Sequence, residues 1–430
     1  MQKINKIKVN PTIIMVFLLV FFLSDSTVIF GTNSNNFFIR FPQFFLIISC
    51  FVFATLSDIT IPVSSFLIFI LMNLLNFLTM VLTGDFQLNY IFISVLLTCS
   101  FLFAHSITLE RFIEAYDVCL FFFCICSLII SLLTKIIPTF VQSLPQIINL
   151  SNLTFYTGVV ANVSSDFVLY GYRNYGIFRE PGVFQFYICL GILFQIYHKK
   201  RLSHAKIVIY IICILTTLST TGYIALVLMI LLFFLKKDSC NLTKKIYGCL
   251  AFSISFFYLI VFSGFMEKGG MGYAIFSKFQ GVENFFTDTH NLNSSLVIRF
   301  GSLLLNIYLF LLHPFLGNGL AGIYTQYPII SFDFFSLVLK YPTDTLFLHF
   351  ARYGIFFGGF FAYGFYKLSS SFSNQACEKF IITVFFLIEL VTENYTNNIL
   401  IYILMWYGIL QIDKRIYQKK IRKRGRPQCM

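Results

Sequence analysis

Arg173, Arg179 and Glu180 fall within one short stretch, YRNYGIFREPG (172–182), of a chain in which only 11% of residues are charged. Pro181 suits the first turn of a helix and Glu180 precedes it as N-cap, so the sequence predicts a helix beginning here. A helix N-terminus offers unpaired N–H groups and partial positive charge, and with two guanidinium groups nearby it could hold a phosphate bidentately. Glu180 could then orient an arginine or accept a proton. The same residues also read as an interfacial Arg179–Glu180 ion pair with Arg173 snorkelling to headgroups. Two further stretches add reactive groups. Arg299 interrupts the apolar run LVIRFGSLLLNIYLFLLHPFLGNG (296–319), an expensive placement unless the guanidinium meets an anion. TDTLFLHFARYG (343–354) spaces Asp344, His349 and Arg352 so that on a helix His349 and Arg352 share a face, with Asp344 at its outer mouth. A hydrogen-bonded interior histidine is the plain alternative for His349.

The elements that must position these groups are membrane helices. With 58% hydrophobic residues and 57 phenylalanines, the chain is not that of a water-soluble domain. The expected fold is an all-α polytopic integral membrane protein with about 12 transmembrane helices, near 12–30, 41–57, 62–83, 88–105, 117–137, 182–197, 206–219, 221–235, 246–264, 345–366, 380–392 and 398–411. The first segment, TIIMVFLLVFFLSDSTVIF, lacks an A-x-A-like cleavage site and reads as a retained helix. Two long apolar blocks, 206–236 and 379–414, are basic at both ends. The positive-inside rule therefore makes each a short hairpin, turning at Ser219-Thr220-Thr221-Gly222 and at Thr392-Glu393-Asn394-Tyr395. Both termini are then cytoplasmic, and the division along the chain is a five-span bundle (1–137), an external loop (138–181), central spans (182–264), a second external loop (265–344), C-terminal spans (345–411) and a basic tail (412–430).

The two large external loops are rich in Phe, Tyr, Leu and Ile, which argues against disorder; they are expected to fold over the outer face, with 296–319 as a membrane-lying amphipathic helix. The net charge of +13 reads as an orientation signal plus a tail, KRIYQKKIRKRGRP, facing anionic membrane lipids. No folded module surrounds that run, so nucleic acid is not an expected partner. The 11 cysteines sit mostly in apolar runs as small hydrophobes, and Cys124 and Cys126 are not spaced as CxxC. With neither a DxD nor an acidic cluster, neither metal nor cofactor is expected. HPFLGNGLAG (313–322) has no preceding strand and no GK[ST], and reads as a turn rather than a phosphate-binding loop.

The order of these parts resembles a known family. R-x-x-G-I-F-x-E-P at the head of a span, a hairpin containing LSTTG, a long outer loop with an internal arginine and PFLGNGL, then TDTLFLHFARYG, are similar to the Wzy-type O-antigen and capsular polysaccharide polymerases, within a wider superfamily of GT-C-like transferases that includes the O-antigen ligases. The resemblance covers about residues 165–366. It implies a metal-independent, inverting glycosyltransferase of the bacterial cytoplasmic membrane. Its substrate would be an undecaprenyl-diphosphate-linked oligosaccharide, polymerised at the outer face alongside flippase and chain-length-regulating proteins. The resemblance implies diphosphate binding by Arg173, Arg179 and Arg299, with Arg352 beside them. Glu180 and Asp344 are the leading bases, followed by His349 and His290. Thr343-Asp344-Thr345 stands where ligases carry a His-Asn pair, which favours polymerase over ligase, and Thr220-Thr221-Gly222 replaces the arginine often seen in the hairpin. A lipid-linked oligosaccharide flippase is the alternative from another class. Against it, charges gather in external loops and no repeat relates the two halves.

Overall fold

The computed structural model describes residues 10–31, 48, 61–148, 153–165, 173–198, 203–236, 295–335 and 338–410. The expected span 246–264, the span 41–57 apart from residue 48, His290 and the basic tail lie outside these residues. The described chain is mostly helical: α1 (Pro11–Val16, continued as a π-helix over Phe17–Phe22), α2 (Val28–Gly31), α3 (Val63–Thr83), α4 (Leu88–Ser106), α5 (Leu109–Ile136), α6 (Pro138–Gln142), α7 (Pro181–Tyr197), α8 (His204–Thr217), α9 (Thr220–Leu235), α10 (Ser295–Leu312), α11 (Gly319–Phe335), α12 (Leu346–Phe372), α13 (Ala376–Thr392) and α14 (Ile399–Leu410). Among the described residues, α3, α4 and α5 are long and apolar enough to cross a membrane, and six further apolar helices are shorter. Length and composition thus define a helical membrane protein without fixing twelve crossings.

Several expectations are corrected. The first segment does not run unbroken from 12 to 30, because it leaves helical geometry at Leu23 and Thr27 makes a bridge to Phe178. The fifth span begins at Leu109 rather than 117: Thr108 caps it by accepting from the Arg111 N–H, and Glu110 lies in its first turn. The chain is not all-α, since the first loop carries a three-stranded antiparallel sheet, β1 (Gln146–Ile148), β2 (Thr154–Thr157) and β3 (Asn162–Ser164). Strands of three or four residues are too short to leave a period-2 signature. In the second loop the helix expected over 296–319 is present as α10 but ends at Leu312, before the glycine turn, and a helix not expected there, α11, follows the turn. The long block after Lys206 is two helices, as read, parted at Leu218-Ser219, where Leu218 takes the left-handed conformation (φ 51°) and Ser219 caps α9.

The described residues form two compact units. The first comprises those before residue 60, Leu102–Thr217 and Asn398–Leu400. Here α5 packs on α1, α6, α7, α8 and β3, and every residue of α7 from Pro181 to Ile196 is buried. A polar cross-link ties three of its helices together. Asp117 of α5, wholly buried, accepts from Lys206 Nζ (2.6 Å) and Tyr210 Oη (3.0 Å) of α8 and from Gln195 Nε2 (2.6 Å) of α7. A carboxylate so placed in an apolar bundle has its lone pairs met from two helices, which fixes their register.

The second unit comprises Thr60–Phe101, Leu218–Asn397 and the residues from Ile401 on. Its centre is α12, which packs on α3, α10, α11 and α13. Leu305 and Leu309 of α10, Ile323 and Tyr327 of α11, and Leu348 and Ala351 of α12 form one core cluster. The α10 stretch predicted to lie on the membrane therefore has a buried face within this unit, while Phe300, Leu304 and Leu311 remain exposed.

Helix α12 is broken at Gly354 (φ 77°, ψ −174°), a conformation only glycine adopts readily. The break is filled by the HPFLGNG turn. Ile355 N–H, which in an unbroken helix would bond Ala351 O, donates instead to Pro314 O (2.7 Å); the freed Ala351 carbonyl accepts from Asn318 N (2.8 Å) and Nδ2 (3.1 Å). The fit is close. A Cβ on Gly354 would stand 2.0 Å from Phe315 O, and one on Gly317 2.3 Å from Arg352 O. The turn read from sequence is thus a clasp on the helix carrying His349 and Arg352. Replacing Asn318 with Ala should lower the unfolding free energy by about 1–3 kcal/mol, because the buried Leu309 carbonyl loses its bond from Nδ2. Thermal unfolding of the purified protein checks this, and an unchanged midpoint would mean that the clasp bears no load.

Candidate functional site

The opening cluster belongs to the first unit and is built as a strap. Asn174, fully buried, donates through its backbone N–H to Thr216 O (2.9 Å) and through Nδ2 to Ser127 Oγ (3.2 Å) and Thr216 Oγ1 (3.1 Å), and its Oδ1 accepts from Gly176 N (3.0 Å). Gly176 turns the chain with φ 56°, where a Cβ would press on the Phe184 ring at 2.9 Å. The strap then runs beside the 24–31 segment: Val28 N donates to Ile177 O (3.0 Å) and Arg179 N to Ser26 O (2.9 Å). As predicted, Glu180 is the N-cap residue and Pro181 opens α7, but the Glu180 side chain makes no cap hydrogen bond and is exposed.

The two arginines of the strap meet backbone carbonyls. Arg173 Nε donates to Thr217 O (3.3 Å), and Arg179 Nη1 donates to Gly31 O (3.4 Å) while its buried Nε has no partner among the described residues. Both arginines are half-buried, and Arg179 Nε, unpartnered among the described residues, is a donor suited to an anion.

The second unit holds Arg299, Asp344, His349 and Arg352. Arg299 has found its anion within the chain: Nη1 meets Glu393 Oε1 at 2.6 Å and also donates to Thr392 O, with the Glu393 side chain 4% exposed and that of Arg299 25%. Glu393 was read only as part of a turn. That turn is stapled to the segment before α12: Thr345 N donates to Leu390 O (2.7 Å), Thr345 Oγ1 to Glu393 O (2.6 Å), Asn394 Nδ2 to Pro342 O (2.9 Å), and Tyr395 N to Thr345 Oγ1 (2.7 Å).

Asp344 does not sit at an open mouth, as expected, but is fully buried. Its Oδ1 accepts from Phe347 N (2.9 Å) and Leu348 N (3.1 Å), so the carboxylate occupies the N-terminus of α12, and its Oδ2 accepts from Asn306 Nδ2. Burial pushes its pKa up to about 7, although the Asn306 amide, the two N–H groups and the charge of Arg352 all favour the ionised form. A carboxylate balanced there is fit to exchange a proton near neutrality.

His349 and Arg352 are both buried in α12. Arg352 Nη2 donates to Tyr324 Oη (2.9 Å), with the guanidinium over that ring, and its Nε has no partner among the described residues. The His349 ring lies among Phe361 (4.4 Å between centroids), Phe357 (5.5 Å) and Tyr353 (6.0 Å), and neither ring nitrogen has a partner among the described residues. No described protein group supplies the hydrogen bond that the plain reading of an interior histidine calls for. The structure thus gathers Arg299, Asp344, His349 and Arg352 in one unit and Arg173, Arg179 and Glu180 in the other.

Sequence reasoning missed Glu393, Asn306, Tyr324 and Tyr353. A scarce acid in an otherwise uncharged turn was a signal for Glu393, given 18 acidic residues in the whole chain. Asn306 and Tyr324 had none, because only packing brings them to Asp344 and Arg352. No protein-family model and no curated protein matches the chain.

Proposed function

We propose that the protein is a glycosyltransferase of the bacterial cytoplasmic membrane, with both termini cytoplasmic. It would polymerise undecaprenyl-diphosphate-linked oligosaccharide repeat units into a surface polysaccharide, as the resemblance to the Wzy-type polymerases implies. The observation that best supports this reading is the buried Asp344, held at the end of α12 with a pKa near 7 in the unit that also holds Arg299, Arg352 and His349. In the proposed reaction Asp344 takes the proton of an acceptor hydroxyl on one repeat unit. That oxygen forms the new bond to the anomeric carbon of the growing chain, and the bond from this carbon to the lipid diphosphate breaks, its electron pair leaving with the phosphate. Arginines neutralise the charge developing on the departing diphosphate, a role metal ions take elsewhere. Arg299, oriented by Glu393, is assigned this task in the second unit; Arg173 and Arg179 are assigned anion binding in the first.

The envelope polysaccharide of a strain lacking the protein tests the class. One repeat unit per lipid carrier is expected; unattached full-length polymer would point to a ligase, and units stranded inside to a flippase. Arginine-to-lysine variants test the roles. Lysine keeps the charge and loses the bidentate fork, so Arg173→Lys, Arg179→Lys and Arg299→Lys should shorten the polymer at matched protein level, a loss of about tenfold or more in rate for a charge-assisted bond felt in the transition state. Full-length polymer from all three would reduce the opening cluster to an interfacial anchor.

A further inference from the structure

Three consecutive polar side chains of α12 on one helical face, His349, Arg352 and Tyr353, carry buried donors or acceptors with no partner among the described residues: both ring nitrogens of His349, Nε of Arg352 and Oη of Tyr353. All three residues are more than nine-tenths buried, with exposures of 0%, 3% and 0%. Buried polar groups are nearly always satisfied, tyrosine hydroxyls included, so several orphans at positions i, i+3 and i+4 need a common explanation. Two other buried tyrosine hydroxyls of the unit are met: Tyr327 Oη bonds Ser302 Oγ at 2.6 Å, and Tyr90 Oη bonds Asp85 at 3.1 Å and accepts from Leu320 N at 2.9 Å. The Tyr90 ring lies edge-on to that of Tyr353, 6.3 Å between centroids, yet leaves the Tyr353 hydroxyl unmet.

We infer that the unpartnered groups of His349, Arg352 and Tyr353 form a binding subsite for hydroxyl groups of a saccharide, with Tyr353 a ligand-binding residue. The donor and acceptor pattern selects the ligand class. Arg352 Nε–H can only donate, Tyr353 Oη can do both, and a neutral imidazole presents one donor and one acceptor. Phosphate offers acceptors alone and would leave an imidazole nitrogen unmet. A sugar hydroxyl donates and accepts, so neighbouring hydroxyls of one ring match the whole set. Resting on the glycosyltransferase reading, the subsite is assigned to the acceptor repeat unit, whose hydroxyl must be held for attack.

Tyr353→Phe removes only the hydroxyl and tests the assignment. The probe is the lipid-linked single repeat unit extracted from the strain lacking the protein, offered to the purified full-length enzyme. The apparent KM for this acceptor should rise about tenfold with kcat little changed, the effect of one lost hydrogen bond to the ligand. The ligand-free variant should unfold at the same temperature or higher, since an orphaned hydroxyl has been removed. A lower midpoint with unchanged KM would show a hydroxyl held by the protein or by a buried water, and would overturn the subsite. If the wild-type enzyme does not elongate the repeat unit, the transferase reading fails first and the subsite with it; if wild type elongates it and Tyr353→Phe does so equally well, the subsite alone fails.

Discussion

Asp344→Asn is expected to reduce polymerisation by about 10²–10⁴-fold, the usual contribution of a positioned general base, while leaving a folded protein. Asparagine keeps the oxygen that accepts from Phe347 N and Leu348 N. Its new amide would face Asn306, whose own Oδ1 is unpartnered and can turn to accept. The pH profiles sharpen the test. With the Asp344 pKa near 7, the wild-type rate should climb as pH rises through about 7 and level above it, whereas the variant should stay low and flat. The linkage runs the other way for stability. The folded pKa lies above the unfolded carboxylate value of about 4, so the extra proton bound by the native state stabilises it fully below about pH 4, and that stability is lost as pH rises through about 7. Asp344→Asn cannot lose it, and should be the more stable protein above pH 7, by up to several kcal/mol. Unfolding midpoints measured from pH 5 to pH 8 check this. A variant that polymerises normally, or one less stable than wild type at pH 8, would remove Asp344 from the mechanism.

Arg299→Ala should lower stability by about 3–5 kcal/mol, because it strands the Glu393 carboxylate, only 4% exposed, without its cation. Glu393→Ala should cost less: the Arg299 side chain is 25% exposed and keeps water and the Thr392 carbonyl as partners. The informative variant is the exchange, Arg299→Glu with Glu393→Arg. Restoring an ion pair of opposite polarity should recover much of the protein level lost in Arg299→Ala. If Arg299 also faces the substrate diphosphate, the exchange must leave polymer short, since it puts a carboxylate where the guanidinium belongs. Polymer length and protein abundance measured together separate the two roles. Recovery of both would make the pair a structural staple between α10 and the turn after α13, and nothing more.

Much of the frame was legible without coordinates. Five of the predicted spans lie within a residue of α3, α4, α7, α9 and α14, because uninterrupted apolar runs bounded by residues such as Gly84, Pro181 or Ser219 leave the helix few other boundaries. The division of the block after Lys206 was legible too, from basic residues at both ends and a Ser-Thr turn that caps the following helix. The reactive residues could be named by type and spacing, since an arginine or histidine in an apolar run stands out against so few charges.

Partners and burial could not be read in this way. Arg299 and Glu393 lie far apart in the chain and become an ion pair only because α10 and the end of α13 fold into the same unit. Asp344 looks like a loop aspartate in sequence. It becomes a buried, half-titrated group because α12 starts immediately after it and α10 presents Asn306 to it. The kink at Gly354 likewise has no local cause beyond a glycine. It exists because a turn some forty residues earlier supplies Pro314 O and Asn318 as substitutes for the missing helical bond. Apolar periodicity is a local property that the chain carries in its sequence. The partner of a charge, the pKa of a carboxylate and the tolerance of a broken helix are set by whatever packing places beside them, so those were decided by tertiary structure alone.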